Sequence, residues 1–378
     1  MTHKNAMNQA AMKQQNREKT MQELWIHSPI SRTLLAQETG LNKATITNVI
    51  ADLQSNNLIT TIGTEHSKPG RSQSLIMFNK SYGLCAGVVF RPQVISLAVS
   101  DIYATILWSE EVRFTISTDP MEVIGQLVEK LKTGISSCSH VSTRLLGVGV
   151  GTASLLREGD DMLYAIHSLD WKNIPLRNIL SKEFKVPIIV DTGSNNGMVG
   201  EQYFGLAKNI RNAFYLSIGY GIGGSILANG KITRGQDGFA GDVGHMTIDL
   251  NGPYCRCGKR GCWEVMASEI FLDYRPFAEY IDRANQGDKE AIKKLNLIGK
   301  NLGKGISTII SVLNPELVIL GCDVTVCGNW VMNPLRSELK ARVWPFVLEK
   351  TRIEYSTLGN TSNMLGTLMR VIETIFKS

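Results

Sequence analysis

Four metal-ligating side chains crowd into one short stretch, GHMTIDLNGPYCRCGKRGCWE: His245, Cys255, Cys257 and Cys262. Three thiolates and one imidazole suit a closed, tetrahedral, structural zinc site with no open position for a reacting water. Gly258 and Gly261 let the backbone fold tightly around an ion. The zinc is expected to organise a loop rather than to catalyse; the alternative is three incidental thiols. The chain has seven Cys, an odd number that fits a disulfide framework poorly.

A second set of residues suits DNA. Ser31 can cap a short helix, SRTLLAQETG, that Gly40 terminates, and Asn42 can cap another. In that next helix Ile46, Val49, Ile50 and Leu53 form one apolar stripe. The opposite side carries Ala44, Asn48 and Ala51, flanked by Thr45 and Thr47, with Lys43 in the first turn. Small residues let a helix sink into a major groove. Asn48 can pair with an adenine edge, Ala44 or Thr45 can touch a thymine methyl, and Lys43 can reach phosphate or guanine.

These residues need a frame. Residues 10–27 lack Pro and Gly and read as a helix stopped before Pro29. Strands around Leu58–Ile62 and Leu75–Phe78 flank a basic loop, EHSKPGRSQ, whose Lys68 and Arg71 would meet the DNA backbone or minor groove. Helix, short helix, Gly turn, helix and two-stranded ribbon make a winged helix-turn-helix over residues 1–80. A three-helix protein-contact module is the competing reading. Charge agrees with DNA: residues 1–80 carry nine Lys/Arg against five Asp/Glu, so +4 of the net +6 lies there. An ordinary solvated surface would also account for it.

At 378 residues, 43% hydrophobic and 20% charged, the chain can bury more than one core. No apolar run is long enough to span a membrane, and the polar N-terminus has no signal-peptide core. A cytoplasmic protein is expected. From about residue 82, short apolar strands such as LCAGVVF, LLGVGVG, VPIIV and PELVIL alternate with helical segments, which implies an α/β region large enough for two lobes around a cleft.

The GHM block followed by CxCGxxGCWE resembles the signature of the ROK family (repressors, open reading frames and sugar kinases). With the N-terminal unit in front, the chain is similar to ROK transcriptional repressors, above all to xylose-operon repressors of Gram-positive bacteria. The likeness extends through LNPELVILG and GNTSNMLGT. It implies a two-lobed α/β actin-like (hexokinase-like) domain, with lobes over 81–190 and 191–378 and the C-terminal helix packing back on the first. It further implies a homodimer, with a tetramer as the alternative, on a palindromic operator, and a sugar effector in the cleft.

Family kinases place a catalytic base in an NDAN-type motif. Here VDTGSNNGMVGE puts Gly193 at the base position and Thr192 before it, and Asp191 could substitute only with a rearranged backbone. The first phosphate loop reads AGVVFRPQ, without its acidic residue and paired glycines. The second survives partly as GYGIGGS, with Tyr220 at a small hydroxyl position. No kinase activity and no catalytic residue are therefore expected.

By motif match, Asp242, His245 and Glu264 resemble the family's sugar contacts, with Ser168 and Asn195 as further candidates. Asp242 stands where Glu is usual, and Ala153-Ser154 replaces a Pro-Gly pair. Capping or support of the zinc loop is the alternative role for Asp242 and Glu264. The expected protein is a sugar-responsive repressor of carbohydrate genes. Its rivals are a sugar kinase fused to a DNA-binding domain and a repressor with a vestigial pocket governed by a protein partner.

Overall fold

The computed structural model describes residues 2–65, 73–115, 118–152, 163–166 and 171–377. Lys68, Arg71, Ala153, Ser154 and Ser168 lie outside the described residues.

The N-terminal unit opens with α1 (Thr2–His27), which begins earlier than the residue 10 expected from sequence. A two-residue strand, β1 (Ile30–Ser31), leads into α2 (Arg32–Thr39). Ser31 caps α2 by accepting from the Leu34 N–H, and Gly40, at φ 66°, ends it in the left-handed conformation that glycine takes without a Cβ penalty. Asn42 caps α3 (Lys43–Ser55), accepting from Thr45 N–H at 2.8 Å. Strands β2 (Ile59–Glu65) and β3 (Gln73–Phe78) form an antiparallel pair, and β1 adds to the free side of β3.

The first lobe contains β4 (Leu84–Arg91), β5 (Val94–Ser100), β6 (Ile106–Arg113), α4 (Pro120–Ser137) and β7 (Leu145–Thr152). The pair β8 (Leu163–Ile166) and β9 (Trp171–Ile174), α5 (Leu176–Phe184) and β10 (Ile188–Thr192) complete it. Its sheet order is β6-β5-β4-β7-β10, antiparallel across the first three strands and parallel across the last three. The sheet runs through Thr192, so the expected boundary at 190/191 falls inside β10; the strand keeps pairing with β7 until the helix cap at Thr192 stops it.

Next comes α6 (Gly193–Phe204), then β11 (Ala213–Ile218), β12 (Ile222–Ala228) and β13 (Lys231–Thr233). After the cysteine-rich loop follow α7 (Glu264–Ala267), α8 (Phe277–Asn285), α9 (Lys289–Leu313), β14 (Leu317–Gly321) and α10 (Gly328–Arg342). The chain ends with α11 (Pro345–Leu348), β15 (Arg352–Tyr355) and α12 (Thr361–Lys377). The second sheet reads β13-β12-β11-β14-β15, the first sheet's strand order and directions repeated. Each sheet therefore has a parallel part with buried strands and an antiparallel edge.

Helices α6 and α12 cross between the sheets. α12 packs on β4 and β7 of the first lobe as well as on α6, and Asn196 of α6 donates to the Thr367 hydroxyl of α12 at 2.9 Å. The N-terminal unit is not tethered loosely. Met21, Leu24, Trp25, Ile46, Ile50, Leu53 and Phe78 share one apolar core with Ile102, Leu368, Ile372 and Phe376. Trp25 donates its indole N–H to the Ile102 carbonyl at 3.0 Å, and the Tyr103 hydroxyl meets both Ser28 Oγ and the Phe78 N–H.

Candidate functional site

The cysteine-rich loop is a compact knuckle. Cys255 N–H donates to the Lys259 carbonyl and Gly258 N–H back to Cys255, which turns the chain tightly between Cys255 and Cys262. Gly261, at φ 66°, passes so close to the Asp249 carbonyl that any side chain would overlap it. His245 ends a 3-10 turn, Val243–His245. One donor atom from each of His245, Cys255, Cys257 and Cys262 lies within 4.8 Å of all the others. Cys255 Sγ is 3.7 Å from His245 Nδ1, and Cys257 Sγ is 3.6 Å from Cys262 Sγ. A tetrahedral ion with ~2.3 Å metal–sulfur bonds separates its donors by about 3.8 Å, so these two spacings match such an ion and the four donors are close enough to hold one. Trp263, wholly buried, anchors the loop against Gly305 of α9.

Behind this loop lies the glycine-rich turn between β11 and β12. Glu264 accepts from the Ile222 N–H at 3.2 Å and covers Gly221. Asp323 covers Gly219 on the other flank, and Glu269 N–H donates to the Gly219 carbonyl. The Glu269 carboxyl is pushed up to about 7 by burial, offset in part by the Phe277 N–H, with Asp323 adding a like charge. The Tyr220 and Tyr274 ring centres lie 5.3 Å apart at a tilt of 35°, and the Arg256 guanidinium sits 5.4 Å from the Tyr220 ring centre. The turn is thus flanked by the Glu264 and Asp323 carboxylates, with the Tyr220 and Tyr274 rings beside it.

Asp191, at the end of β10, is 3% exposed. Arg234, just past β13, donates to both its carboxylate oxygens, while Arg370 of α12 donates to Oδ2 at 3.2 Å. Burial pushes the carboxyl up, but the bonds and charges of Arg234, the Arg370 charge and the Asn195 amide outweigh it and hold the pKa below the usual range.

Asn195, a candidate ligand contact, lies in the Asp191 cluster. It is buried, its amide nitrogen donates to Asp191 and its oxygen accepts from Ser225 Oγ, so both ends are committed inside the protein. Asp242 is exposed at the start of the 3-10 turn and makes no capping bond to it. Glu264 faces the turn as described. Arg234 and Arg370 escaped sequence reading: the one sits 43 residues from Asp191 and the other 179, and neither belongs to a short motif. An Arg among the apolar residues of TLMRVIETIF was the available signal.

In the N-terminal unit Ile46, Val49, Ile50 and Leu53 are buried, whereas Lys43, Ala44, Thr47 and Asn48 are exposed and Thr45 is half-buried.

Two lobes of one strand order, joined by crossing helices and carrying a Cys/His loop, define the actin-like class to which sugar kinases and their regulators belong. The chain is a member of the ROK family, whose model matches residues 86–373. It is 33% identical to the xylose repressor of Bacillus spizizenii over 97% of both chains. It is 28% identical to a glucokinase of Halalkalibacterium halodurans, over 65% of this chain and 81% of that one. A solved ROK family transcriptional regulator, a homolog of the E. coli MLC protein, superposes with a TM-score of 0.82 at 20% identity over 97% of each chain.

Proposed function

We propose that this chain is a sugar-responsive transcriptional repressor that binds a palindromic operator as a homodimer, holds a structural zinc ion and transfers no phosphate. The observation that carries the reading is α3. Its exposed Lys43, Ala44, Thr47 and Asn48 lie opposite a stripe sunk in the core, the arrangement of a recognition helix in a winged helix-turn-helix. Full-length likeness to a xylose repressor supports the same reading.

Sugar phosphorylation needs a carboxylate free to take a proton and a cradle for phosphate. Gly193 at the base position has no side chain, and Asp191 is ionised and gripped by two guanidinium groups. Asp323 and Glu264 beside the glycine turn would repel a nucleotide's phosphates. In the cleft a sugar would find Asp242 and Glu264 carboxylates and the His245 ring beside the zinc loop. Zinc, held by His245, Cys255, Cys257 and Cys262, would fix that loop and the orientation of the imidazole. Effector binding that favours one interlobe angle would change the spacing of the two reading helices in a dimer.

The test is fluorescence anisotropy with DNA from upstream of the protein's own gene, at fixed salt, with and without a panel of pentoses and hexoses. Selective loss of affinity with one sugar is expected. Tight binding that no sugar shifts would replace the sugar with a protein partner, and sugar-dependent ATP turnover in a coupled assay would restore the kinase.

A further inference from the structure

A continuous chain of polar and ring contacts leaves the seam between the lobes and ends on α1. Arg234 belongs to the second lobe and grips Asp191 of the first. Asp191 shares its Oδ2 with Arg370, whose other terminal nitrogen donates to Glu373 at 2.9 Å. Glu373 accepts from the Tyr203 hydroxyl of α6 at 3.2 Å. The Tyr203 ring meets Trp25 of α1 edge-on, 5.3 Å between centres, and Phe204 does the same at 5.5 Å. Gln22, one turn earlier on α1, also bonds the Tyr203 hydroxyl.

We propose that Arg370 is the coupling residue of this protein, a positioning group that transmits the state of the interlobe seam to the N-terminal unit through Glu373, Tyr203 and Trp25. The inference rests on reading that unit as the one that meets DNA, but its physical content is independent of it. Arg370 lies largely buried, with Asp191 and Glu373 as its two carboxylate partners and its Nε without one. Because one partly buried guanidinium serves both carboxylates, the two pairs are interdependent: weakening one leaves the cation to rebalance on the other. Arg234, one residue past β13, is the member of this contact chain that follows the second lobe's sheet. Opening the lobes therefore acts first on its bond to Asp191, and the shift passes to Arg370. α1 is sensitive because Trp25 packs edge-on against the Tyr203 ring, whose hydroxyl Glu373 holds.

Hydrogen exchange of the full chain, read by mass spectrometry without DNA, tests this. Arg234→Gln and Asp191→Asn perturb the seam end, and Tyr203→Phe cuts the chain while keeping the ring. Each should speed exchange in residues 20–27 roughly tenfold, the scale of one lost charge-assisted hydrogen bond, and leave α4 unchanged. Combining Arg234→Gln with Tyr203→Phe should add little to Tyr203→Phe alone. Arg370→Lys should fall between wild type and Arg370→Met. Fully multiplying effects, an unmoved α1, or equal acceleration in α4 would each overturn the coupling. If wild type binds no operator while the non-additivity holds, the DNA reading fails and the coupling stands.

Discussion

Gly366 of α12 lies directly against the carbonyl of Asn196 on α6, so close that a methyl group at position 366 would overlap the oxygen. Gly200 meets the Ser362 carbonyl in the same way at the neighbouring turn. The two helices that join the lobes therefore touch backbone to backbone. Gly366→Ala gains about 1 kcal/mol of helix propensity but must force the helices apart. A net loss of about 1–3 kcal/mol is expected in urea unfolding, and Ala at the exposed Gly125 of α4, where a Cβ meets nothing, should stabilise instead.

The Cys/His knuckle should carry about one zinc ion per chain by elemental analysis. Cys257→Ser should abolish it, and chelation should lower the melting temperature of wild type but not of the variant. A metal-free protein with unchanged melting temperature would refute the site.

On α3 the two kinds of contact should separate. Asn48→Ala should cost about 1–3 kcal/mol of operator affinity and relax the base preference at one position. Lys43→Ala should weaken binding to all sequences alike and reduce the salt slope by about 1. Identical behaviour of the two variants would reject α3 as the reading helix.

Glu269 gives a pH dependence with a definite sign. Its folded pKa, about 7, lies above the ordinary 4.5, so the native state holds more protons between those values. The stabilisation is full below about pH 4.5 and is lost as pH rises through 7. Glu269→Gln keeps an acceptor for the Phe277 N–H and should flatten this decline, leaving the variant more stable than wild type at pH 8. Denaturation curves at pH 5 and 8 measure it.

What sequence made legible was local. The four Cys and His side chains that could hold a metal sit in one loop, and the α3 stripe follows helical periodicity, so both are read from spacing. Caps at Ser31 and Asn42 likewise act within three residues. The Asp191–Arg234–Arg370 cluster and the commitment of Asn195 are tertiary, built by elements far apart in the chain, and no spacing rule reaches them. The doubled strand order was invisible for a related reason: topology is shared by the two sheets, while side chains are chosen by each lobe's own packing. β1 was missed because two residues show no alternation.

Leu24 and Ile372 stand in a single core with Ile50, Phe78 and Ile102. The N-terminal unit is thus no detachable module. Cutting the chain after residue 80 would bare an oily face on both fragments, so neither half is expected to survive alone as a well-behaved solute. An insertion that lengthened the join near Asn79 would loosen nothing, because the hold is made by the faces and not by the connecting strand. The two parts are therefore expected to melt as one body.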